Sequence, residues 1–253
     1  MSTATAAPTK KKLPWIVELY GSALGKKYVM AITGVVGLGF VIAHMIGNLK
    51  IYLGAESINF YGEWLRDGLG YPVVPHTVTL WILRLSLIAA LVLHVHAAVA
   101  LTVMNKKARP VEYQSRRHYI AADFAGRSMR WTGVIVLLYI AYHLADLTWG
   151  WANPDYVRGD VYGNMVASLS QIPVAALYIV ATLALGVHLY HGVWSMFQSL
   201  GLNNRTFNSY RRALAIGIAA LITIGNLSFP ITIGSGLVDD ERPARTVLTE
   251  DHG

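Results

Sequence analysis

The chain has 253 residues, 54% of them hydrophobic and only 14% charged, with a mean hydropathy of +0.43; a soluble domain is roughly 25% charged, so this balance excludes an ordinary soluble enzyme, a disordered chain and a coiled coil. With no cysteine at all, a disulfide scaffold, a Cys-ligated zinc site and a Cys-ligated iron–sulfur cluster are excluded within the chain. The net charge of +7 raises nucleic acid as a partner, but its distribution along the chain points to membrane topology instead, with no nucleic acid.

In chain order, residues 1–27 are read as a cytoplasmic segment too long and polar to be the n-region of a cleaved signal peptide. Within it Leu13–Leu24 is short and amphipathic, with Pro14 suited to a first turn, and reads as an interfacial helix. Five stretches then have the roughly 20 residues that a bilayer span needs: Tyr28–Ile51, Thr77–Met104, Ser128–Trp149, Ile172–Gln198 and Ala213–Ile233. The second contains Arg84, the third carries Arg130 and Asp146 near its edges, and Pro230 marks a kink or end in the fifth. His118–Phe124 is a second short helical candidate, and Trp149, Trp151 and Tyr156 read as an interfacial aromatic belt. His76 and His118 lie at span ends and read as surface residues. The expected fold is an all-α membrane protein whose five transmembrane helices occupy 28–233, with an extracytoplasmic tail at 234–253. No tandem repeat is evident.

Lysine and arginine fix the expected orientation. Fifteen of the 21 fall on one side of alternate connections and five on the other, with Arg84 inside a span. By the positive-inside rule the N-terminus is cytoplasmic, and five spans put the C-terminus outside.

Six of the nine histidines fall within spans: His44, His94, His96, His143, His188 and His191. Ionisable groups at membrane depth are costly and functional by default. At ~1.5 Å per residue, His44 and His143 sit ~24 and ~22 Å from the inner ends of their spans, and His96 and His188 ~12 and ~15 Å. Two outer and two inner histidines, each pair drawn from two helices, is the pattern for two stacked bis-histidine haems in a four-helix bundle made by the first four spans. The levels are expected about 10 Å apart. One zinc or copper held by all four histidines conflicts with the two levels, because its ligands must converge to within ~2 Å. His94 and His96 point about 200° apart, and His188 and His191 share a face, so periodicity leaves both choices open. Ala97, Ala98, Gly186, Gly192 and Gly47 are expected to clear room for flat rings.

The strings SALGKKYVMAITG (22–34), HMIGNLKIYLG (44–54), NKKARPVEY (105–113) and HLYHGVWSMFQSLGLN (188–203) resemble the membrane cytochrome b subunit of succinate:quinone oxidoreductase, the five-helix, two-haem cytochrome b558 type. The related quinol:fumarate reductase anchor is similar. The resemblance implies two b haems with iron ligated by one histidine from each of the first four helices. The Gly-Asn pair after His44, the position of His143, the glycine four residues after His188, and the alanine after His96 select His44 and His143 for the outer (distal) haem and His96 and His188 for the inner (proximal) haem, with His94 and His191 as second choices. It further implies a respiratory complex II in the bacterial cytoplasmic membrane. A flavoprotein subunit with FAD oxidises succinate, an iron–sulfur subunit docks on the basic cytoplasmic face, and this chain reduces a quinone, preferentially menaquinone.

Glu63, in the outer connection, is by the same resemblance a candidate for proton exchange at an outer quinone site, or else a solvated loop acid. Arg84 is a candidate partner for a haem propionate or a snorkelling residue, and Arg130 and Lys26 are candidates for the inner propionates or for topology alone. Asp146 lies one turn from His143. The competing readings are a reverse-running fumarate reductase anchor, a free-standing diheme transmembrane cytochrome and a haem-free structural anchor.

Overall fold

The computed structural model of the chain describes residues 14–108, 120–202 and 204–239. Among the described residues all regular structure is helical. α1 (Trp15–Gly21) and α2 (Ala23–Asn48) are joined by Ser22. Its hydroxyl donates to the Leu19 carbonyl of α1 and accepts from Gly25 N–H in the first turn of α2, a side-chain N-cap. Trp15, Ile16, Val17 and Leu19 are exposed on α1, which occupies the middle of the segment expected at the interface.

Short 3₁₀ and π turns aside, six helices follow: α3 (Ala55–Glu63), α4 (Val78–Lys107), α5 (Ile120–Leu147), α6 (Val161–Leu169), α7 (Ile172–Ser199) and α8 (Arg205–Gly234). Asp160 caps α6 through Gly163 N–H and Asn204 caps α8 through Phe207 N–H. α8 runs through Pro230 and stops one turn later. The expected short helix at 118–124 begins outside the described residues, and from Ile120 onward it is the first turn of α5.

Among the described residues four segments are long and apolar enough to cross a membrane: Ala23–Leu53, Val78–Lys107, Ile172–Ser199 and Tyr210–Gly234. They correspond to the first, second, fourth and fifth expected spans. α5, the expected third, has 28 residues, about 42 Å at ~1.5 Å per residue. It has the reach and carries Arg130, His143 and Asp146, and it is not among the four found in the described residues.

The long helices pack as two hairpins, α2 with α4 and α5 with α7, which meet where α2 touches α7. α8 covers α7 and also reaches α2. Gly186 permits the close approach of α8, because a Cβ there would overlap the Thr223 side chain. Gly47 in turn makes room for the Tyr61 ring of α3. Both glycines thus serve helix packing, not the faces of flat rings as expected; of the three expected glycines, Gly192 opens onto free space.

Two elements not anticipated in the outer connections, α3 and α6, close one end. Ile51, Ile58, Tyr162, Met165, Leu169 and Phe229 form the buried core there. Outside the hydrocarbon region each such large side chain contributes about 1.5–3 kcal/mol of burial. Polar clamps tie α3 to α6: Asn59 Nδ2 donates to Asp160 Oδ1 and Asn59 Oδ1 accepts from Tyr162 N–H, both at 3.0 Å. Asn164, buried in α6, exchanges two hydrogen bonds with the Val157 backbone.

Candidate functional site

Each hairpin brings one histidine toward the other hairpin at each of two levels. His44 of α2 faces His143 of α5 with ring centres 5.7 Å apart, and His94 of α4 faces His188 of α7 at 6.4 Å. All four are half-buried. Their Nδ1 atoms are held by neighbours, and the donors decide the tautomer. Thr33 Oγ1 gives its proton to the Val29 carbonyl, so at 3.1 Å from His94 Nδ1 it accepts the imidazole N–H. Thr132 Oγ1 gives its proton to the Ser128 carbonyl and accepts from His188 Nδ1–H at 3.3 Å. Tyr178 OH donates to Asp146 and accepts from His143 Nδ1–H at 3.3 Å. His44 Nδ1 lies 3.2 Å from the Asn48 side-chain amide, which offers either its acceptor or its donor end on a 180° flip. With the proton on Nδ1, His94, His143 and His188 keep the Nε2 lone pair for a metal, the usual supporting arrangement for a ligating histidine.

The spacing suits an iron between each pair. Two imidazoles on opposite faces of one metal, each with its nitrogen about 2 Å away, have ring centres on the order of 6 Å apart. The facing rings are inclined to one another by 76° and 61°. Among the described residues no three histidine or carboxylate side chains gather round one point, so the histidines stand in twos.

The inner level differs from the expectation in one residue. His94, the second choice, is the ring that faces His188. His96 is exposed on another side of α4, where its ring stacks on Tyr20 of α1 at 5.7 Å and its Nδ1 hydrogen-bonds the Tyr20 hydroxyl. The rotation of α4 against α2 makes this choice, since Thr33 and Gly34 meet His94. His191 is buried on α7 against Tyr190, with its Nδ1 unpartnered and no histidine opposite among the described residues. The levels are also farther apart than expected. Thr33, which touches His94, precedes His44 by 11 residues, and Thr132, which touches His188, precedes His143 by 11; both helices give about 16 Å at ~1.5 Å per residue.

Thr33 and Thr132 were not singled out from sequence, yet a signal was present. Each stands in a Thr-Gly pair 11 residues before a histidine, with an aromatic residue four before that histidine. Phe40 tilts against His44 at 37° and Tyr139 against His143 at 38°. Glycines 34 and 133 each lie against the Cε1 edge of the facing histidine, 3.6 and 3.5 Å from a built Cβ. α2 and α5 therefore share one local pattern of Thr-Gly, aromatic and histidine at the same spacing.

The remaining candidates are placed as follows. Glu63 and Arg84 line one cavity of about 800 Å³ between α3 and α4, together with Arg66, Trp81 and Arg158. Arg84 lies over the Trp81 ring at 5.3 Å. Lys26 is buried, and its ammonium donates to the Tyr20 and Gly21 carbonyls at the end of α1. That capping accounts for Lys26 without a propionate. Arg130 is exposed. His76 stacks on Tyr71 at the outer end of α4, as a surface residue would, and His118 lies outside the described residues. Trp149 and Trp151 are exposed and face each other at 4.7 Å.

These features define an integral membrane protein of apolar helices with two cross-hairpin histidine pairs. The family profile of the succinate dehydrogenase/fumarate reductase transmembrane subunit matches residues 125–227. The chain is 25% identical over 173 residues, 68% of its own length and 77% of the relative's, to the succinate dehydrogenase cytochrome b558 subunit of Bacillus subtilis (strain 168). The chain is thus similar, over its second half by the family profile and over two thirds by the relative, to the succinate dehydrogenase/fumarate reductase transmembrane subunits. No solved structure matches it.

Proposed function

We propose that this chain is the cytochrome b anchor of a succinate:quinone oxidoreductase, holding two b haems and delivering electrons from an iron–sulfur subunit to a quinone. The observation that carries this reading is the two pairs of facing imidazoles, three of whose four rings are held at Nδ1 by an acceptor oxygen so that Nε2 stays available. In it His44 and His143 hold the outer haem and His94 and His188 the inner one, between four spans of which α5 is the third. Haem held by these histidines would supply one-electron transfer. Thr33 and Thr132 keep the inner imidazoles in one tautomer. The basic cytoplasmic face receives the iron–sulfur subunit, which in turn carries the flavoprotein with FAD, in a bacterial cytoplasmic membrane with the N-terminus inside.

In this reading the cavity of about 800 Å³ is the outer quinone site, with menaquinone the preferred occupant. Glu63 supplies a carboxylate for proton exchange at the outer surface. Arg84 stands in the same cavity, where its guanidinium suits an anionic propionate or a quinone oxygen.

The test is a dithionite-reduced minus oxidised spectrum of the detergent-purified complex, with haem quantified per chain. Two b haems are expected. One would leave a single histidine pair in use, and none would reduce the chain to a structural anchor.

A further inference from the structure

Asp146 is only 1% exposed, one turn beyond His143 on α5. Its Oδ2 accepts from Ser168 Oγ of α6 at 2.6 Å and from Tyr178 OH of α7 at 2.7 Å. Both donors are neutral hydroxyls. A buried carboxylate carries a desolvation cost that such hydrogen bonds offset only in part, so its place at membrane depth calls for a use. Having donated to Asp146, the Tyr178 oxygen takes the His143 Nδ1–H at 3.3 Å, a long hydrogen bond. Tyr139 packs edge-on against Tyr178 at 5.1 Å and tilted against His143 at 5.6 Å, which packs the phenol between ring and carboxylate.

We infer that Asp146 and Tyr178 form a carboxylate–tyrosine–histidine relay that orients His143 and draws negative character onto its imidazole. The inference rests on His143 being a haem ligand. The relay belongs to one imidazole of the four. Both inner histidines end on threonines whose protons go to main-chain carbonyls, and the position on α2 that matches Asp146 is Gly47, three residues after His44. A more electron-rich ligand favours the oxidised iron, so the relay holds down the reduction potential of the haem on His143.

The experiment is a redox titration of both haems, with the low-spin electron paramagnetic resonance spectrum, in the purified complex carrying Asp146→Asn, Tyr178→Phe or both. Each single variant is expected to shift the reduction equilibrium of the His143 haem about tenfold toward the reduced form, ~59 mV for one electron, and to move the other haem less. The double variant is expected to shift it no further than the larger single change. Unchanged potentials and resonance spectrum in Tyr178→Phe with both haems retained would overturn the relay. So would additive shifts, which would mean that the carboxylate acts through space. If Asp146→Asn fails to accumulate, Tyr178→Phe decides alone, since it keeps the ring and removes one oxygen; selective loss of the His143 haem in it counts for the relay. Absence of haem from the unaltered complex would instead defeat the reading of the chain as a cytochrome, a separate result.

Discussion

His94 and His96 are two positions apart on α4, and their surroundings give them different work. His94 meets Thr33 and faces His188, whereas His96 joins α1 through Tyr20. Replacing His94 by alanine is therefore expected to lower the haem content of the purified complex from two per chain to one. His96→Ala should retain both and loosen α1 instead; pyridine haemochrome quantification of the two variants checks this. That histidines would gather at two depths was legible in the sequence, because depth follows from counting residues along a helix. Which of two histidines faces the bundle was not, because it depends on the rotation of α4 about its own axis, and that is set by contacts with Thr33 and Gly34, 60 or more residues away in the chain. Thr33 and Thr132 were hidden for another reason: a threonine inside an apolar span reads as ordinary until its hydroxyl is seen to be spent on the preceding turn and its lone pair on an imidazole.

At the scale of elements, the four most apolar spans were plain in the sequence, their length and lack of charge leaving no other solution in a bilayer. α5 was legible as a helix but carries the polar residues of the site, which weakens its signal as a span. α3 and α6 went unread because nine residues each of mixed composition give no periodic pattern, and α6 buries polar Asn164 and Ser168 only because α5 and the connection before it supply partners. α7 and α8 approach closely at Gly186. A methyl there must displace Thr223, so Gly186→Ala is expected to destabilise the fold by about 1–3 kcal/mol. Adding Thr223→Ala should restore most of the loss, since the hydroxyl is the atom in the way. Thermal unfolding of the detergent-solubilised single and double variants measures both effects.

For the whole molecule, the imbalance of lysine and arginine between the two ends predicts the orientation, and the absence of cysteine makes it simple to test. Single cysteines placed at Asp155, in the exposed outer connection, and at Lys106, at the other end of α4, are expected to react with a membrane-impermeant maleimide from opposite sides of intact cells and inverted vesicles. Labelling of both from one side would refute an odd number of crossings between them. The hairpin arrangement has a further consequence. His44 and His94 belong to the first half of the chain, His143 and His188 to the second, and each facing pair takes one ring from each half. Neither half owns a complete cofactor site. In the proposed cytochrome each haem is then a stitch across the seam between two similar halves, so that loading the prosthetic groups and closing the molecule are a single event.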